Sequence, residues 1–336
     1  MTRRLVPALA VLAAALVLAS CGEKEDSTAP GRTEPLRLVL DYLPNADHVG
    51  IYAARARGHF RAAGLDVQIQ VPPDPSAPLK LLAAGRADLA ISYEPEVFLA
   101  RDRGLDVVSV AAIVQKPLTS IMALGSKRIR SPRDLAGKKV GTAGIPYQSA
   151  YLRTILERAG VDPGRVKEVN VGFSLVPALL SKRVDATLGA FWNYEGIQLA
   201  QRRRHPTIIR MEQVGVPTYN ELVLVARREV LGEEGGKVRR FVQALARGHQ
   251  DTRRDPEEAV EALLAANRTL ERRLQLASVK ATLPVFFPED ESRPFGFQDP
   301  REWQAYGQWM RSNELLRRPP VAGRTLTNEF LPGQGV

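Results

Sequence analysis

The chain has 336 residues, room for two domains of ordinary size around a substantial core, and one cysteine, which excludes a disulfide-stapled mini-protein. With 44% hydrophobic and 25% charged residues it has the composition of a globular protein rather than a disordered or fibrous one. Lys and Arg exceed Asp and Glu by 47 to 37, an excess that raises nucleic acid or an anionic membrane surface as partners.

The first twenty residues remove two of those charges. Arg3 and Arg4 precede the apolar run from Leu5 to Ala19, and Leu18-Ala19-Ser20-Cys21 ends it: a positive n-region, an h-region and a small-residue cleavage site. The run is too short to be a spanning helix. The segment resembles a bacterial lipoprotein signal, in which Cys21 becomes the lipid-modified first residue and the mature chain is membrane-anchored. Residues 21–34 are too polar to bury anything and read as a flexible tether. The remaining basicity lies in runs such as Arg202-Arg203-Arg204, without the interleaved aromatics on which single-stranded nucleic acids stack. It reads as solvated surface, with no nucleic-acid role.

From Leu36 onward short apolar runs alternate with helical stretches. Strands are expected at 36–40, 66–71, 89–92 and 107–114, with helices at 48–57, 77–84 and 94–103 between them. Such alternation argues for parallel α/β units. A second set follows Ser131-Pro132, a helix-start signal with proline in the first turn. It has strands at 139–141, 166–171, 186–189 and 207–211, and helices at 148–159, 175–180 and 194–201. The apolar strands 120–124 and 222–226 flank this set as crossovers. The expected organisation is a signal peptide (1–20), a tether (21–34), a discontinuous first lobe (35–122 with 224–330) and a second lobe (123–223). Helices at 236–253, 256–267, 270–283 and 300–313 pack back on the first lobe, and Asp255-Pro256-Glu257-Glu258 places acids in a first turn.

Metal and nucleophile templates are empty. The four histidines are not paired at i, i+4 or with a cysteine, no carboxylate cluster has calcium-loop spacing, and no G-x-S-x-G, P-loop or G-x-G-x-x-G occurs. No metal and no cofactor is expected. Gly141-Thr142-Ala143-Gly144 is either a set of N–H donors for an anion or a plain βα turn. Polar and aromatic residues gather instead after strands: Asp41-Tyr42-Leu43-Pro44-Asn45-Ala46-Asp47-His48, Ser92-Tyr93-Glu94-Pro95-Glu96 and Phe191-Trp192-Asn193-Tyr194-Glu195. Carboxyl ends of strands border the ligand crevice in open α/β sheets. Aromatic faces beside carboxylates and amides suit a flat heterocycle. The alternative is that Trp192 and Tyr42 fill the interlobe core while the acids cap helices.

These motifs, with Gln115-Lys116-Pro117-Leu118, Asn170-Val171-Gly172-Phe173 and Val176-Pro177-Ala178-Leu179-Leu180, resemble the thiamine-pyrimidine branch of periplasmic binding proteins. That branch holds receptors for thiamine pyrimidine precursors, relatives that bind riboflavin, and the fungal pyrimidine synthases. The similarity runs from about Leu36 to Ala226, and one departure is Tyr42, where the family often has Trp. The resemblance implies a type II, two-lobed venus-flytrap fold, each lobe an α/β sheet with flanking helices, closing by hinge motion. It implies a monomeric lipoprotein that feeds an N-formyl aminopyrimidine or hydroxymethylpyrimidine to an ABC permease and its ATPase. Trp192 and Tyr42 would sandwich the ring with Tyr93 as a further wall. Glu195, Asp41 and Asn45 would bond its amino group and nitrogens, with Tyr147 and Thr119 at the rim. Riboflavin or a sulfonate is the alternative ligand. The synthase reading is disfavoured, since its Cys-rich motif cannot exist in a chain with one cysteine, and a sensor using the same fold is a third class.

Overall fold

The computed structural model describes residues 33–333. The signal peptide and Cys21 lie outside the described residues, as does the tether up to Arg32. Its expected last residue, Glu34, is already in a strand, because its N–H bonds the Gly64 carbonyl at 2.8 Å.

The first lobe opens with β1 (Glu34–Val39), α1 (Val49–Ala56), α2 (His59–Ala62) and β2 (Leu65–Gln70). It continues through α3 (Pro78–Ala83), β3 (Leu89–Ser92), α4 (Glu94–Asp102) and β4 (Val107–Val114). The second lobe holds β5 (Thr119–Leu124), β6 (Lys139–Thr142), α5 (Pro146–Arg158) and β7 (Lys167–Asn170), then α6 (Leu175–Leu180), β8 (Ala186–Phe191), α7 (Glu195–Gln201) and β9 (Pro206–Arg210). The chain returns with β10 (Leu222–Arg227), α8 (Arg228–Arg254) and α9 (Pro256–Ala266). It ends in α10 (Arg272–Thr282), α11 (Pro300–Ser312) and α12 (Ala322–Thr325).

Two five-stranded sheets result, ordered β2-β1-β3-β10-β4 and β7-β6-β8-β5-β9. Each is parallel except where one strand runs against its neighbours: β10 against β3 and β4, β5 against β8 and β9. Every residue of β4 and β5 is buried, which explains why apolar residues predominate in both. β5 lies wholly in the second sheet and β10 wholly in the first, so the sequence-based cuts at 122/123 and 223/224 each pass through a strand. The physical crossings are the loops 115–118 and 211–221. Helix α8 starts earlier than expected, at Arg228, with a break in helical geometry at Glu234.

The crossings are tied together by one carboxylate. Glu221 accepts N–H bonds from Leu118 (2.6 Å) and Thr119 (2.7 Å), and hydroxyl bonds from Thr119 (2.9 Å) and Tyr219 (3.1 Å). Burial nevertheless pushes its pKa up to about 7. Around it Tyr147 and Tyr151 of α5, Tyr219 of the return crossing and Tyr306 and Trp309 of α11 form a chain of ring contacts 5.1–6.1 Å apart. This aromatic knot packs around the two crossings.

Helices α1 and α8 meet through glycine. A Cβ on Gly248 would sit 2.2 Å from the Gly50 carbonyl oxygen, and one on Gly50 2.3 Å from the His249 ring. Gly248→Ala is therefore expected to destabilise the protein by about 2–3 kcal/mol, the upper part of the overpacking range, measured by urea unfolding. An unchanged midpoint would show that the helices part without cost.

Candidate functional site

The loop after β1 builds one wall of a cleft between the lobes. Asn45 caps the short turn Ala46–His48, its Oδ1 accepting the Asp47 N–H at 2.8 Å and its Nδ2 donating to the Leu43 carbonyl at 3.0 Å. His48 closes the turn: Nδ1 accepts the Asn45 N–H at 3.2 Å and Nε2 lies 2.8 Å from Asp41 Oδ1. The second Asp41 oxygen accepts the Tyr93 hydroxyl at 2.6 Å. Asp41, Asn45 and Tyr93 thus stand in the wall with their polar atoms engaged in holding it.

The cleft holds about 370 Å³ of space between atoms, open solvent included. From the first lobe Asp41, Tyr42, Asn45, Asp47 and Tyr93 line it; from the second come Ile145, Gln148, Leu175, Phe191, Tyr194 and Glu195, among others. The lobes touch across it. Tyr42 meets Phe173 edge-on with centroids 4.7 Å apart, and Asn193 Nδ2 donates to Asp47 Oδ1 at 2.7 Å.

Two carboxyl groups set the chemistry. Glu195 opens α7, and its Oε2 accepts the Phe191 N–H at 2.8 Å. Burial pushes its pKa up to about 7, with a smaller contribution from the charge of Asp47. Asp47 is 1% exposed, burial pushes it up to about 6, and its Oδ2 has no partner among the described residues. The buried Tyr42 hydroxyl is also unpartnered. Burial, Glu195 and Asp41 push its pKa well up, so the phenol stays a donor. An unpaired buried polar atom costs about 1–3 kcal/mol, so Asp47 and Tyr42 together favour a polar ligand between them.

Of the eight ligand residues expected from the sequence, Asp41, Tyr42, Asn45, Tyr93 and Glu195 come together at this cleft. The other three lie by the crossings. Thr119 and Tyr147 are fully buried, their hydroxyls 3.1 Å apart beside Glu221. The Trp192 indole donates to the Pro117 carbonyl at 3.0 Å with the Arg210 guanidinium 4.2 Å over its ring, so it braces the first crossing. An aromatic after a strand looks the same in sequence whichever way it points.

Asp47 and Gln148 were not singled out, for lack of any spacing signal in a polar loop or a first helical turn. Gln148 Oε1 accepts the Ala143 N–H at 2.7 Å, which takes one of that turn's donors. Gly189, at φ +113°, gives it room: a Cβ there would lie 2.2 Å from Gln148 Nε2. Among the described residues no group of three His, Cys, Asp or Glu side chains could hold a metal ion.

The fold is similar to that of solved binding proteins. The alkanesulfonate-binding protein SsuA of Xanthomonas axonopodis superposes with a TM-score of 0.68 over 88% of this chain and 99% of its own, at 16% identity. In sequence, the formylaminopyrimidine-binding protein of Halalkalibacterium halodurans is 36% identical over 94% of this chain and 96% of its own. The 4-amino-5-hydroxymethyl-2-methylpyrimidine phosphate synthase of Legionella pneumophila is 26% identical over 88% and 92%. The family described as NMT1/THI5 like matches residues 45–259. This chain, with its two-lobed α/β periplasmic-binding-protein fold, belongs to the NMT1/THI5-like family.

Proposed function

We propose that the protein is an extracytoplasmic solute receptor that closes on a thiamine pyrimidine precursor, of N-formyl aminopyrimidine or hydroxymethylpyrimidine type, and presents it to an ABC permease and its ATPase. The observation that carries this reading is the pair of buried carboxyls, Glu195 and Asp47, in the interlobe cleft beside a phenol that has no partner among the described residues. A carboxyl with pKa about 7 is present in both forms at neutral pH. As the acid it offers O–H and C=O side by side, the complement of a ring nitrogen next to an amino group. The relative named for formylaminopyrimidine supports the same ligand class.

The wall contains no histidine, and both ring nitrogens of His48 are engaged, which favours binding over the synthase reading. On this reading Cys21 carries the lipid anchor and the protein acts as a monomer.

Calorimetry with N-formyl aminopyrimidine, hydroxymethylpyrimidine, thiamine, riboflavin and an alkanesulfonate tests the proposal. A monocyclic aminopyrimidine should bind tightest, and tighter binding of riboflavin or the sulfonate would overturn it. In the same assay Trp192→Ala is expected to lower stability by about 1–2 kcal/mol through the lost hydrogen bond and cation–π contact, with a smaller loss of affinity than truncation of Glu195. An equal loss would return the indole to the site.

A further inference from the structure

We propose that the pole of the second lobe opposite the cleft is an adhesive surface for membranes rich in anionic phospholipid. Among residues 33–333 the net positive charge lies almost wholly in that lobe. Residues 119–221 carry sixteen Lys and Arg against eight Asp and Glu, whereas the first lobe, 33–114 with 222–333, balances at twenty-six of each. Strand register then gathers the excess at one end. Leu124 pairs with Pro206, Ala123 and Val140 with Ala186, and Lys139 with Lys167. The segments 127–133, 138–139, 165–167, 182–183 and 202–204, which adjoin those pairs, therefore share the end of the sheet remote from the cleft. They hold thirteen of the lobe's sixteen cations, eleven of them exposed. Among the described residues the ion pair found there is Lys127 with Asp185.

Helix-dipole compensation accounts for the cations that follow α6 and α7, Lys182 and Arg202, but not for those in the loops before β6 and β7. The character of the surface selects its partner. None of the five segments contains an aromatic residue, and the exposed large hydrophobics (Leu43, Val71, Leu105 and Val321) all lie on the first lobe. Protein interfaces are anchored by buried aromatic and apolar residues, and single-strand binders by stacking aromatics. A flat layer of anionic headgroups needs neither, since each Lys or Arg at its surface contributes on its own. The chain enters the first lobe at Glu34, in the other sheet, so this contact would be a second point of attachment, independent of the cleft and its ligand.

Residues 33–336, which contain every strand and helix of both sheets and lack Cys21, should co-sediment with vesicles of phosphatidylcholine and 30% phosphatidylglycerol in 50 mM salt. They should not do so with phosphatidylcholine alone, and 500 mM salt should release them. Lys182→Gln, Arg183→Gln, Arg202→Gln, Arg203→Gln and Arg204→Gln combined should weaken partitioning by about a hundredfold or more. Five exposed first-lobe cations changed together (Arg61→Gln, Arg86→Gln, Arg247→Gln, Arg268→Gln and Arg301→Gln) should leave it within about threefold of the parent. Equal partitioning onto both vesicle types, binding that survives 500 mM salt, equal loss in the two variants, or tighter retention by a DNA duplex at the same salt would overturn the proposal. The salt and lipid arms use the unaltered sequence and stand whether or not the variants fold.

Discussion

Truncating Glu195 to Ala is expected to weaken binding of an N-formyl aminopyrimidine about a hundredfold, because a buried pair of hydrogen bonds to an ionisable group disappears and strands the ligand's polar edge. Glu195→Gln should be far milder, within about tenfold, since the amide presents N–H and C=O in the same order as the protonated acid. The two variants separate a neutral bidentate pairing from a purely ionic one. The pH dependence has a definite sign. As pH rises through about 7, Glu195 loses its proton and with it the donor that meets the ring nitrogen, so affinity should fall. In Glu195→Gln that decline should be reduced. Calorimetric affinities of the Ala variant within threefold of the parent would remove Glu195 from the site. A Gln variant as weak as the Ala variant would replace the neutral pairing by a charged acceptor.

The scaffold was largely legible because two periodicities decide it. Buried strands such as Val107–Val114 and Leu89–Ser92 are apolar runs with a single serine each, and their limits match the expected ones. Helix starts were marked by proline and acids, as at Pro132 and Asp255-Pro256. The cleft was legible in part, since polar residues after strands face a crevice as a matter of topology. What sequence spacing does not encode is direction. Trp192 and Glu195 belong to one motif, yet the first turns to the crossing loop and the second to the cleft, a choice settled by Arg210 on a different strand. Asp47 shows the same blindness in reverse. Between Ala46 and His48 it looks like a capping-turn residue, and only Asn193 and Thr282, 146 and 235 residues away, show that it is sealed into the interlobe contact with one oxygen unpaired.

Stability is expected to be higher at pH 5.5 than at pH 8, by about 2 kcal/mol or more, because several buried carboxyls bind protons more tightly folded than unfolded. Burial pushes Glu96, Glu195 and Glu221 up to about 7 and Asp47 up to about 6. For each, the unfolded chain ionises in the ordinary carboxylate range while the folded protein keeps its proton. The advantage of the folded state is therefore complete below that range and is lost as pH rises through the folded pKa. One group opposes this. His249, sealed between α8 and the rings of Phe286 and Phe295, is pushed down to about 4, so folding excludes its charged form and stability is lost as pH falls below the usual histidine range. Burial pushes Glu94 well up too, and five carboxyls against one imidazole keep stability rising as pH falls through 6, placing the maximum below about pH 5. Urea midpoints taken across pH 5–8 measure the slope, and Glu195→Gln, which removes one of the five groups, should flatten it. A level profile would mean that these acids ionise as freely in the folded protein as in water, and that the interlobe seal holding Asp47 and Glu195 is open in solution.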